Sequence, residues 1–120
     1  MTCEPFWGYH LTIDAKACKI ESARDGELIA RFLKHLVVEI DMIAHGSPQV
    51  VHFGEDNKTG WTGVQLITTS NIIGHWCDES GDAYFDVFSC KTYDTQKVVD
   101  LFNKYFEPER IRTNFLTRQA

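Results

Sequence analysis

Apolar and polar positions alternate along residues 7–15, with Trp7, Tyr9, Leu11 and Ile13 on one side and Gly8, His10, Thr12 and Asp14 on the other. A two-residue period predicts a half-buried strand. The period then changes. Asp25-Gly26 opens a stretch in which Leu28, Ile29, Phe32, Leu33, Leu36, Val37 and Ile40 recur at helical spacing, and His45-Gly46-Ser47-Pro48 closes it. Residues 49–53 predict a second strand, and Asp56-Asn57-Lys58-Thr59-Gly60 a turn. Residues 61–69 predict a third strand and residues 83–90 a fourth. A second amphipathic helix is expected over 95–106, with Val98, Leu101, Phe102 and Tyr105 on one face. Residues 110–117 alternate Ile111, Thr113, Phe115 and Thr117, which predicts a final strand.

The order is strand, helix, three strands, helix, strand. Each helix has one apolar stripe to bury, so the economical arrangement sets both against one face of a sheet. The expected class is α+β: a two-layer α/β sandwich, mostly antiparallel, with two helices on one face. The 120 residues fit a single domain, 1–120. The other sheet face needs cover, and a homodimer would supply it.

Charge narrows the function. Twelve basic and seventeen acidic residues give a net charge of -5, with no basic run, which argues against nucleic acid as a partner. No apolar stretch approaches the roughly 20 residues of a membrane helix. The first residues, Met1 to Pro5, lack a basic segment leading into an apolar one, so the expected location is cytoplasmic. Cys3, Cys18, Cys77 and Cys90 form no close pair and are expected as reduced thiols. Their spacing to the five histidines matches no metal pattern, so no metal is expected.

The stretch from Thr59 to Lys91 carries the candidate chemistry. Ser70, His75 and Cys90 supply a hydroxyl, an imidazole and a thiol near the ends of adjacent predicted strands. These are the groups of nucleophilic and proton-transfer chemistry. Each also has a plainer reading. Ser70 can be an ordinary strand-end serine, His75 a strand cap, Cys90 an inert core thiol and Glu79 a solvated charge. His10 reads as a satisfied structural group, and Trp7 and Trp76 as packing residues.

Several separated blocks resemble the bacterial-type S-adenosylmethionine decarboxylases. Gly8-Tyr9-His10 matches that family's Gly-x-His, and Thr62-Gly63-Val64 its Thr-Gly-Val. Ser70 falls at the family's cleavage serine, His75 at the histidine five residues on, and Glu79 at the glutamate of Pro-Glu. Asp86-Val87-Phe88-Ser89-Cys90 matches the Asp-Val-Phe-Thr-Cys segment. The departures are local. Thr69 stands for the glutamate before the serine, Asn71 for the histidine after it, and Trp76-Cys77-Asp78 for Thr-Trp-Pro.

The resemblance implies a chain that cuts itself between Thr69 and Ser70 and converts Ser70 into a pyruvoyl group. That group is the electron sink when carbon dioxide leaves the substrate. By position, Thr62 and His75 assist as hydroxyl and base, and Cys90 returns a proton. A thiol suits that task, being protonated near neutrality yet acidic enough to give the proton up. Glu79 is implied at the ribose hydroxyls, with Phe53 or Trp61 stacking on adenine. The implied activity is decarboxylation of S-adenosylmethionine for polyamine synthesis. Two alternatives stay open. One is a decarboxylase of another amino acid such as ornithine or arginine. The other is an uncleaved, non-enzymatic relative that binds a nucleoside-like ligand or regulates a true decarboxylase.

Overall fold

Strand β1 (Gly8–Lys16) shows how the alternation becomes architecture. Tyr9, Leu11, Ile13 and Ala15 are buried on one face, whereas Asp14 and Lys16 are exposed on the other. The same parity runs through β3 (Gly60–Ile67), β4 (Ser70–Cys77) and β5 (Ala83–Ser89). With β2 (Gln49–Phe53) and β6 (Arg110–Arg118) they form one antiparallel sheet in the order β2-β3-β4-β5-β1-β6. The computed structural model describes residues 5–120. Cys3 and the leading residues 1–4 lie outside the described residues.

Helix α1 is a single turn, Ile20–Ala23, followed by α2 (Gly26–Glu39) and α3 (Thr95–Phe106). The Asp25 carboxylate caps α2 by accepting from the Leu28 amide, and Asp94 caps α3 by accepting from Gln96 and Lys97. Helix α3 stops where Glu107 takes a left-handed conformation ahead of Pro108. The apolar stripes meet around Phe32, whose ring lies 5.0 to 6.5 Å from those of Trp76, Phe85, Phe102, Tyr105 and Phe106. Gly74 makes room for this cluster: a Cβ there would sit 2.5 Å from the Trp76 ring and 2.7 Å from Phe85.

Two elements depart from the expectations. The sheet has six strands where five were expected, because the strand read over 61–69 stops at Ile67 and the chain returns at once as β4. The loop is Thr68-Thr69, which lacks the Gly, Asn or Asp that marks a two-residue hairpin in a sequence. The short helix α1 carries no periodic signal of its own. The two-layer α+β architecture is as expected, with the longer helices on one face.

Among the described residues nothing covers the other face in the single chain. Val51, Phe53, Leu66, Tyr84 and Leu116 are each about half exposed there or more, beside half-buried Val64, Ile73 and Phe88. We expect Phe32→Ala to destabilise the fold by about 3–5 kcal/mol, the range for emptying a buried aromatic site. Denaturant unfolding of purified protein checks this.

Candidate active site

The β3–β4 hairpin closes through the pair Ile67↔Ser70. Neither loop threonine has a positive φ; Ser70 does, at 152°. Side chains rarely occupy that region, and holding one there costs about 1–3 kcal/mol. The strained residue follows directly the bond that the family resemblance nominates for cleavage.

Antiparallel pairing fixes what lies beside that bond. Ser70 pairs with Ser89 across β4 and β5, so Thr69 comes opposite Cys90. The Cys90 amide donates to the Thr69 carbonyl at 3.0 Å. The Ser89 hydroxyl donates to Thr69 Oγ1 at 2.8 Å, and Thr69 Oγ1 donates to Met42 Sδ at 3.4 Å. Ser89 is fully buried and its Oγ accepts from the Lys91 amide at 3.0 Å. The Cys90 side chain is half-buried just beyond β5. Thr69, Ser70 and Cys90 therefore form one cluster.

A second cluster occupies the opposite end of the same strands. Thr62 and His75 are directly paired across β3 and β4, with Thr62 Oγ1 3.0 Å from His75 Nδ1. On the bare face they belong to a row that crosses the whole sheet: Val51, Thr62, His75, Tyr84, Asp14, Arg112. Glu79 lies in the turn that follows β4 at this end, and Phe53, 60% exposed, ends β2 here.

The expected closeness of hydroxyl, imidazole and thiol does not hold within one chain. Ser70 begins β4 and His75 lies five residues along it. At about 3.3 Å per residue this separates them by roughly 16 Å. Cys90 lies opposite Thr69, next to Ser70; Thr62 and His75 lie at the other end of the strands, the end that also carries Glu79 and Phe53. Trp61 joins neither cluster. Its ring lies within 3 Å of where a Gly26 Cβ would be, and its Nε1 donates to the Arg24 carbonyl at 3.1 Å. It packs on the helix side, because its parity along β3 is opposite to that of Thr62.

Electrostatics separates the thiols. Burial, aided by the Asp82 charge, pushes the Cys18 thiol up to about 12. Burial and Asp82 also raise Cys77 above the ordinary thiol range. Both hold their protons. Tyr84, beside His75 in the row, is likewise raised by desolvation and then by Asp82, so its phenol stays a donor. His10 is satisfied as expected, 3.2 Å from the Asp86 carboxylate and 3.2 Å from an Arg118 guanidinium nitrogen. The sequence reading passed over Ser89 and Met42. The position of Ser89 directly before Cys90 was a usable signal, whereas Met42 becomes visible only when the loop after α2 folds under the hairpin.

Known proteins share this chain's sequence family and fold. The model of the family described as S-adenosylmethionine decarboxylase matches residues 9–119. A Clostridium botulinum (strain Langeland) S-adenosylmethionine decarboxylase proenzyme is 30% identical over 95 residues, covering 77% of each chain. The Archaeoglobus fulgidus S-adenosylmethionine decarboxylase proenzyme is 28% identical over 112 residues, covering 92% of this chain and 96% of its own. The crystal structure of the Aquifex aeolicus adenosylmethionine decarboxylase superposes with a TM-score of 0.81 over 98% of this chain and 94% of that one. At 24% identity it shows the shared fold. The family match runs through both clusters and nearly the whole sheet: this chain belongs to the S-adenosylmethionine decarboxylase family.

Proposed function

We propose that the chain is an S-adenosylmethionine decarboxylase proenzyme that cuts itself between Thr69 and Ser70 and works as a homodimer. The observation that carries the reading is the strained φ of Ser70 beside a Thr69 carbonyl already held by a backbone amide. In the first step the Ser70 Oγ attacks the Thr69 carbonyl carbon and its proton passes to a base. Negative charge then grows on the Thr69 oxygen, where the Cys90 N–H is already aimed. Collapse breaks the peptide C–N bond and leaves an ester with a free Ser70 amine. Loss of the Ser70 α-proton expels Thr69 as a carboxylate. Water then replaces the nitrogen, which leaves as ammonia, and residue 70 ends as a pyruvoyl group.

The residues fit that group. Conversion would remove the Ser70 nitrogen, and with it the φ torsion that is strained in the uncut chain. Ser89 and Cys90 would flank it, Cys90 as the proton source. When formed, the group supplies the electron sink for loss of carbon dioxide. The chain's own residues do the rest. Glu79 offers a carboxylate to the ribose hydroxyls, Phe53 an apolar ring to the adenine, and the Thr62–His75 pair moves a proton.

Two halves roughly 16 Å apart on one strand cannot serve one reacting carbon within a single chain. Stacking two bare faces about a two-fold axis running across the strands sets Thr62 and His75 of one copy over Ser70 and Cys90 of the other. The half-exposed Leu66, Tyr84 and Leu116 on that face support the same pairing, since solvated apolar surface of this kind marks an interface. Each dimer then holds two composite sites.

Release of labelled carbon dioxide from carboxyl-labelled S-adenosylmethionine tests the activity. We expect turnover by the wild type and none by Ser70→Ala. Turnover of ornithine or arginine in place of S-adenosylmethionine would overturn the substrate assignment. Complementation tests the shared site. Cys90→Ala and His75→Ala chains should each be nearly inactive when expressed alone. Co-expressed, they should regain about a quarter of wild-type activity, because random pairing gives half mixed dimers with one intact site each. No recovery would place both halves in one chain.

A further inference from the structure

Thr69 stands where the family resemblance leads one to expect glutamate, and its hydroxyl is not idle. It is the middle of an ordered chain of hydrogen bonds. The Lys91 amide donates to Ser89 Oγ at 3.0 Å, Ser89 Oγ donates to Thr69 Oγ1 at 2.8 Å, and Thr69 Oγ1 donates to Met42 Sδ at 3.4 Å. The Ser89 hydroxyl has a second, longer acceptor in Met42 Sδ at 3.8 Å, so the sulfur anchors both hydroxyls and the shorter bond is the one to Thr69. The ends of the chain are also fixed. Lys91 Nζ reaches the Asp41 carboxylate at 3.3 Å, and Met42 follows Asp41 in the loop after α2. Asp41 itself has φ 58°.

We propose that Ser89 is a positioning residue for self-cleavage: its buried hydroxyl grips the Thr69 side chain so that the Thr69 carbonyl stays on the Cys90 amide and Ser70 stays strained. The geometry separates this role from that of ordinary core packing. Thr69 is held at two points, through Oγ1 by Ser89 and through its carbonyl by Cys90. These come from adjacent residues of one strand end. Two fixed points on one residue leave the following peptide bond little freedom, and the unusual φ lies on the next residue, Ser70. Releasing Oγ1 lets the two-residue loop rotate, relaxes Ser70 toward an ordinary extended backbone and lengthens the Cys90–Thr69 bond. A short hydroxyl side chain at 69 thus takes over by side-chain anchoring what a longer acid could do otherwise, and a hydroxyl at 89 is its necessary partner.

The inference rests on the self-cleavage reading, and two measurements keep the failures distinguishable. The first uses the uncut Ser70→Ala chain. Adding Ser89→Ala should speed hydrogen exchange at the Cys90 amide about tenfold, the size of effect expected for weakening one buried hydrogen bond. An unchanged rate overturns the role of Ser89 whether or not the wild type cuts. The second follows cleavage in freshly refolded protein by mass. Ser89→Ala should cut about tenfold more slowly, while Ser89→Thr, which keeps the hydroxyl, restores the wild-type rate. Thr69→Val should slow cleavage similarly, and adding Ser89→Ala to it should slow it little further. Equal cleavage rates in Ser89→Ala and wild type, additive effects of the two substitutions, or failure of threonine to rescue would each overturn the proposal.

Discussion

The hydrogen bond from the Cys90 amide to the Thr69 carbonyl organises everything around it. It exists because β3, β4 and β5 are antiparallel neighbours joined in one register, so that the end of β5 meets the start of β4. A slip of one residue would turn Ser70 and Cys90 to the wrong faces and undo the site. Register is in turn set by the core. Trp76, Phe85 and Val87 on β4 and β5 are buried against Phe32 and Phe102, and nothing polar could take their places at acceptable cost. The chemistry is thus held in place by an aromatic cluster that touches none of the reacting groups.

The same sheet keeps the two clusters apart within one chain. A strand of eight residues spans more than the reach of any side chain, and β4 carries Ser70 at its first position and His75 at its sixth. Parity adds a second separation, since His75 belongs to the bare face and Ser70 pairs along the row of the buried Ser89. In the proposed dimer, a second copy inverted over the first would bring its His75 end against the end of β4 that carries Ser70. The bare face would then serve two purposes, hiding apolar side chains and completing two sites.

Much of the fold could be read from the chain because it follows simple periods. The stripe from Leu28 to Ile40 and the alternation from Trp7 to Ile13 each have one reading. The hairpin at Thr68-Thr69 was invisible because its unusual backbone lies on Ser70, outside the loop, and threonine is as common in strands as in turns. Without that hairpin β4 is lost, and with it the distance between Ser70 and His75. The residue types of the site were legible through the family resemblance; their division into two clusters was not. Trp61 and Phe53 show the limit well. Both are aromatic and near the right turn, but only parity along a strand whose end was uncertain could set Trp61 against Gly26 and Phe53 on the bare face. Met42 lay beyond any local pattern, since its place beneath Thr69 depends on a loop 27 residues away.

The claim on which the rest turns is that the Thr69–Ser70 bond breaks by itself. The intact mass of the purified wild-type chain tests it most directly. The account predicts two fragments, residues 1–69 ending in a free carboxylate and residues 70–120 beginning with a pyruvoyl group in place of serine. A single uncut chain, unchanged on prolonged incubation, would contradict it and leave a binding or regulatory relative of the family in its place.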